Sequence, residues 1–179
     1  MKGLVFTEFL DMVEEKFGYE MVDKIITEST LESEGSYTQI GTYSFGEMVQ
    51  LITRLHVHTK IEVPVLLRTY GLYFFAFLEK NYPGFLEKEK SAFAFLNSIE
   101  NHIHVEVRKL YPDAELPSFD TSEVSDDQME MIYRSERGLG PFAQGLIEKS
   151  MEYYGESGTV SMENLSDDGK IVRFLISKN

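Results

Sequence analysis

The four histidines of this chain come as two H-x-H pairs, His56 and His58 in LHVHTK and His102 and His104 in NHIHVEVRKLYP. Imidazole is the side chain best suited to bind a transition metal or move a proton near neutral pH. Geometry limits what a pair can do. On a helix, residues two apart point about 200° away from each other, so the two rings cannot chelate one ion. On a strand they would share a face. The spacing of Leu96, Ile99, Ile103, Val107 and Leu110 predicts a helix from Ser91 to Tyr111, ended by Pro112. Only one of His102 and His104 can then serve as a ligand. His104 flanks the apolar stripe beside Val107, and His102 points away, four residues before Glu106. Periodicity alone reads His104 as a partly buried structural histidine and His102 as a surface residue. His56 and His58 fall at the end of an earlier helix, where imidazolium offsets the negative terminus. With no carboxylate or cysteine nearby in the sequence, they read as surface residues, and a weak metal site there requires that segment to be a strand.

The second grouping is YRSERGL. Period-2 alternation in DQMEMIYRSER predicts a strand with Met129, Met131, Tyr133, Ser135 and Arg137 on one face. Same-face residues are roughly 6.6–6.8 Å apart. Two hydroxyls and a guanidinium on one line suit carboxylates, which arginine binds bidentately. A half-buried strand that happens to end in arginine explains the same pattern. The GLG that follows lacks the rest of a phosphate loop. No nucleophile elbow accompanies any serine, and paired carboxylates such as those in EVSDDQ read as solvated turns.

These residues need elements to position them. Leu4, Phe6, Phe9, Leu10, Met12, Val13 and Phe17 give the opening segment a helical face. Further helices are expected near 19–28, at 44–56 and at 62–80. The last is apolar around most of its circumference, hence expected in the core, and stopped by Pro83-Gly84. After the 91–111 helix and the YRSER strand, Pro141 opens a helix over 141–154, and TVSMENL, SDDG and KIVRFLIS make a hairpin. Helices first and an antiparallel sheet of about four strands later predict an α+β fold, and 179 residues suit one domain, 1–179.

Composition narrows the function classes. A formal charge of −13 repels nucleic acid and anionic membranes. The absence of cysteine rules out disulfides, thiolate zinc, iron–sulfur clusters and cysteine nucleophiles. The amphipathic N-terminus does not read as a signal peptide, and no apolar run approaches the ~20 residues of a membrane span. A soluble, cytoplasmic protein is expected.

Taken together, the MKG start, HIHVEVRKLYPDAELPSF and YRSERGL resemble the haem nitric oxide/oxygen-binding (H-NOX) family over essentially the whole chain, in the manner of a bacterial stand-alone member. The resemblance implies haem b buried between the helical part and the sheet, with iron ligated by His104. It implies that Tyr133, Ser135 and Arg137 match the family's Tyr-x-Ser-x-Arg signature for the haem propionates. It places Pro117 where the family's proline presses on the porphyrin and Val5 at an N-terminal position packed on the haem. Phe9, Leu67, Tyr70, Gly71 and Phe74 are further pocket residues by the same carry-over. Oxygen-binding members carry a distal tyrosine where this chain has Phe142, which cannot donate a hydrogen bond. The implied ligands are therefore NO and CO, with weak or no oxygen binding.

The implied function is a gas sensor, not an enzyme. NO weakens the bond to His104, and the chain relays the change to a separate histidine kinase or cyclic-di-GMP enzyme. Two other readings compete. A haem redox enzyme, peroxidase-like or NO-detoxifying, would need distal acid–base residues. A haem-free ligand or interaction module would not explain why His104, Pro117 and the triad occur together.

Overall fold

The computed structural model describes residues 1–179. By contacts the chain divides into two compact units, Met1–Leu66 and Leu67–Asn179.

The first unit holds α1 (Gly3–Phe17), α2 (Tyr19–Thr27), α3 (Phe45–Thr59) and the first turn of α4 (Val63–Asn81). Gly18 breaks α1 from α2 by adopting φ 86°, a left-handed value that favours glycine. Ser44 starts α3 by accepting from the Gly46 N–H, and Lys60 ends it in the left-handed region. The apolar stripe expected for the opening helix is real: Phe6, Phe9, Met12 and Val13 are fully buried. The loop between α2 and α3 is pinned by a buried carboxylate. Glu47 accepts from Ser33 Oγ and from the Tyr37 hydroxyl (2.7 Å), and Tyr37 stacks on Phe6 at 4.5 Å.

The second unit contains the rest of α4, then α5 (Pro83–Leu86), α6 (Ala92–Ser98), a π-helical turn π1 (Ile99–Ile103), α7 (His104–Leu110), β1 (Ser118–Ser125), β2 (Gln128–Arg134), α8 (Gly140–Tyr153), β3 (Gly158–Asn164) and β4 (Ile171–Lys178). The four strands form one antiparallel sheet in the order β1-β2-β4-β3, as the α+β expectation requires. Period-2 alternation puts Met129, Met131 and Tyr133 of β2 beside Val172, Phe174 and Ile176 of β4 on one buried face. Ala92, Phe93, Phe95 and Leu96 of α6 and Ala143, Ile147 and Met151 of α8 complete that core. The opposite face carries ion pairs, Arg134 with Asp120 and Arg173 with Glu130 and Glu163.

Three expectations change here. The helix expected from Ser91 to Tyr111 is three pieces, because π1 widens one turn and rotates everything after it. The stripe that begins with buried Leu96 therefore runs out, and Leu110 is 55 % exposed. Helix α4 buries only one side: Leu66, Leu67, Tyr70, Gly71 and Phe75 are buried, while Val65 is exposed and Phe74 and Phe77 are half-buried. Its uniform apolarity hid that asymmetry. Of EVSDDQ, only Asp126 and Asp127 form the turn, and Glu123–Ser125 extend β1. No single helix is long and apolar enough to cross a membrane.

Candidate functional site

His104 sits where π1 gives way to α7, and the wide turn closes on it: its backbone N–H bonds to Ile99 O, five residues back. Single π turns inside helices commonly mark functional positions. The ring is buried, with only 8 % of the residue exposed. Burial lowers its pKa below the ordinary histidine value, with the Glu100 carboxylate opposing that shift and Arg108 adding to it. A neutral imidazole is the form that offers a lone pair to a metal.

The two ring edges are used differently. Nδ1 lies 3.2 Å from Glu100 Oε2. The same carboxylate oxygen accepts the Phe119 N–H at 3.1 Å, and Glu100 Oε1 faces Arg108 Nη2 at 3.9 Å. With Nδ1 donating to the carboxylate, Nε2 on the opposite edge keeps its lone pair for a ligand. His102 does not share this site. Its Nε2 is 2.7 Å from Lys88 Nζ and Glu106 pairs with Lys109, so His102 acts on Glu106 only through its charge and forms no hydrogen bond with it.

From His104 a row of rings leads to the triad. His104 and Phe119 have centroids 5.8 Å apart, Phe119 and Tyr133 5.6 Å, and Tyr133 and Phe174 6.4 Å. The register that pairs Phe119 with Tyr133 produces this row. Pro117 is half-buried immediately before β1.

The triad is not the straight strand face expected. Strand β2 ends at Arg134, and Ser135 and Arg137 belong to the turn that follows, where Ser135 Oγ accepts the Arg137 N–H at 3.2 Å. Gly138 completes the reversal at φ 60°. The turn still gathers the three side chains, since Ser135 and Arg137 both act on the Tyr133 phenol. Burial nonetheless pushes that phenol above the ordinary tyrosine value. The Tyr133 oxygen accepts the Leu139 N–H at 3.0 Å, which leaves its own proton to donate. Arg137 reaches back to the segment before Pro117, donating to Glu115 O at 2.8 Å and pairing with the Glu115 carboxylate. A ligand carboxylate would compete with Glu115 for that guanidinium.

A third group lies at the start of α8. Phe142 is 5.0 Å from Tyr70 and 5.7 Å from Phe74, with Tyr70 and Phe74 5.8 Å apart. Glycines allow this approach. A Cβ on Gly71 would lie 2.2 Å from Phe142 O, and one on Gly145 2.2 Å from Arg68 O, so α4 and α8 cross with their backbones in contact. Leu67 is buried on the same helix. Val5, half-buried, and Phe9, fully buried, belong to α1 of the first unit.

The other H-x-H pair is helical, which removes the strand option for a metal, and no group of three or more His, Cys, Asp or Glu residues is placed to hold an ion. A carboxylate is close after all: His58 Nε2 lies 2.7 Å from Oε2 of Glu28, the residue that caps α2, a contact that sequence separation concealed. His56 Nδ1 bonds Ile61 O at 2.7 Å beyond the helix end.

Sequence reasoning missed Glu100, Phe119 and Glu115. The Glu100-x-x-x-His104 spacing was a usable signal for the first. Nothing local announces the other two, which depend on strand register and on a turn. A polar cleft of about 340 Å³ beside Glu100, lined also by Asn97, Asn101, Phe119, Asp120 and Thr121, was likewise invisible.

The donor set suits a haem. One buried imidazole is oriented by a carboxylate, and hydroxyl and guanidinium donors are gathered at the end of β2 and in the turn that follows it.

Comparisons with known proteins agree with this. The family described as Haem-NO-binding matches residues 2–162. No curated protein matches the chain. Among solved structures, the chain is similar to the unliganded Fe(II) H-NOX protein from K. algicida, at 52 % identity and TM-score 0.96, covering 100 % of this chain and 97 % of that one. It is similar to the H-NOX from Shewanella woodyi in its Fe(II)CO state, at 36 % identity and TM-score 0.84, covering 100 % and 95 %. The S. oneidensis H-NOX protein in its Fe(II)NO state, 20 % identical with TM-score 0.92 over 100 % and 99 %, shares the fold.

Proposed function

Since the chain belongs to the Haem-NO-binding (H-NOX) family, whose members are haem-based gas-sensor domains rather than enzymes, we propose that it is a sensor of nitric oxide working through haem b. The observation that carries this reading is the state of His104: buried, held neutral by desolvation, with Nδ1 engaged by Glu100 and Nε2 left for a metal. A bound haem would supply the ferrous iron that binds a diatomic gas, and His104 would hold it. The chain's residues do the rest. His104 provides the single protein ligand. Tyr133, Ser135 and Arg137 hold the propionates, with Arg137 exchanging part of its Glu115 contact for them. Pro117, whose segment is tied to the triad through the Arg137–Glu115 pair, would pack against the macrocycle. Leu67, Tyr70, Gly71 and Phe74 would line the pocket on the α4 side.

Selectivity follows from Phe142. Bound oxygen carries negative charge and gains from a hydrogen-bond donor, whereas NO needs little help. A phenyl ring packed against Tyr70 and Phe74 offers no donor. The chain accordingly binds NO and CO and holds oxygen weakly or not at all. The whole chain acts as one sensor domain, supported by a family match that runs through both units. It carries no catalytic residues of its own. It is cytoplasmic and passes the signal to a separate histidine kinase or cyclic-di-GMP enzyme that contacts its two states differently. Its charge of −13 opposes nucleic acid as that partner.

Absorption spectra of the haem-loaded ferrous protein test the reading. A Soret band that NO and CO move, with no stable oxygen complex in air, is expected. Absence of a Soret band after haem supplementation defeats the sensor reading, and a stable ferrous–oxygen spectrum defeats the selectivity.

A further inference from the structure

The least expected contact at the site is the one behind the histidine. Glu100 Oε2 takes both the Nδ1 edge of His104 and the backbone N–H of Phe119, at 3.2 and 3.1 Å. One oxygen thus joins the π turn to strand β1, immediately after Pro117. A carboxylate pinned by a strand N–H cannot swing freely toward solvent, although its side chain is one-third exposed at the wall of the polar cleft. The imidazole is not part of that lining and stays buried. Solvent therefore reaches the carboxylate far more than the ring.

We propose that Glu100 is a positioning residue for the metal-binding histidine. Its carboxylate fixes the Nδ1–H tautomer and ring angle of His104, and so sets how strongly Nε2 donates to iron. The physical basis is general. A carboxylate accepting the far N–H of a metal-bound imidazole makes the ring a more basic ligand and locks its orientation. No proton needs to leave the ring. A more basic imidazole holds iron more firmly and favours the ferric over the ferrous state, so Glu100 raises the resistance that a gas ligand must overcome before the hold of His104 is given up. Because the same oxygen is tied to Phe119, that resistance is coupled mechanically to the start of β1. This inference rests on the assignment of His104 as the ligand.

The test uses the full chain loaded with haem, reduced and free of gas. Two readouts apply: the iron–histidine stretching frequency by resonance Raman and the ferric/ferrous midpoint potential. Glu100→Gln keeps the shape and an acceptor oxygen but removes the charge, and Glu100→Ala removes both. Expected is a stepwise fall in stretching frequency from wild type through Glu100→Gln to Glu100→Ala, with the midpoint rising in the same order. Thr121→Val is the control, since Thr121 Oγ1 bonds Asn97 Oδ1 and is a second tie between the helix and β1 that does not touch His104. It is expected to leave both readouts at wild-type values. Unshifted Glu100 variants overturn the proposal, as does a Thr121→Val shift as large as that of Glu100→Ala. A wild-type protein lacking a histidine-ligated ferrous spectrum overturns the ligand assignment itself. A normal wild-type spectrum with unmoved Glu100 variants overturns the role of Glu100 alone.

Discussion

The two H-x-H segments are alike in sequence and unlike in what the fold makes of them. Both are helical, and in each the second histidine meets a glutamate: His58 meets Glu28 at 2.7 Å and His104 meets Glu100 at 3.2 Å. The difference is which edge of the ring is used and how deeply it is buried. Glu28 takes Nε2 of His58, and the pair stays partly open to solvent, with side chains 20 % and 40 % exposed. Glu100 takes Nδ1 of His104, whose side chain is only 10 % exposed, and is itself anchored to β1. A histidine becomes a candidate ligand through its hydrogen-bonded environment more than through its spacing.

The largest expected effect breaks the two segments apart. Replacing each histidine in turn by alanine and measuring haem retained per chain should leave His56→Ala, His58→Ala and His102→Ala near full loading and His104→Ala nearly empty. Equal losses in all four would abolish the distinction. Next in size is a stability contrast within the 92–110 region. Leu96→Ala empties a position at the core and should cost about 2–5 kcal/mol in urea denaturation. Leu110→Ala, more than half exposed, should change stability by less than about 0.5 kcal/mol. Comparable costs would mean that π1 does not turn the stripe outward.

The units also differ in the ionisable groups they bury. In the first, Glu8 is buried on α1, and desolvation together with Asp11 raises its pKa from 4.5 to about 7. The folded protein therefore keeps this proton up to about pH 7, while the unfolded chain releases it near 4.5. Stability should fall as pH rises across that window, and Glu8→Gln should remove the slope, adding up to about 3 kcal/mol above pH 7 and little below 4.5. An unchanged pH profile in the variant would show that Glu8 is hydrated in solution. Smallest is Glu28→Gln, expected to cost less than about 1 kcal/mol because its partner His58 is partly exposed. A larger loss in thermal denaturation would place that pair among the structural anchors of the first unit.

How much of this was legible depended on the range of the interaction. Helix and strand periods are local, so the amphipathic α1, the alternation in β2 and the β3–β4 hairpin could be read from residue spacing. The π turn could not, since IENHI carries no glycine or proline to announce a widened turn. The step from strand to turn at Ser135 was hidden because the period-2 pattern continues through Arg137 while the backbone does not. Glu28 beside His58, Glu115 beside Arg137 and Phe119 beside His104 are products of tertiary packing. His104 itself was selected by resemblance, and periodicity alone left it an ordinary core-edge histidine.

The central claim is that Nε2 of His104 is the chain's one bond to a haem iron. The most direct measurement is the ferrous absorption spectrum of His104→Gly with and without added imidazole, beside wild type. The account predicts that the variant holds haem only when imidazole is supplied, and then with a wild-type-like spectrum. A variant that binds haem unchanged without imidazole would contradict it.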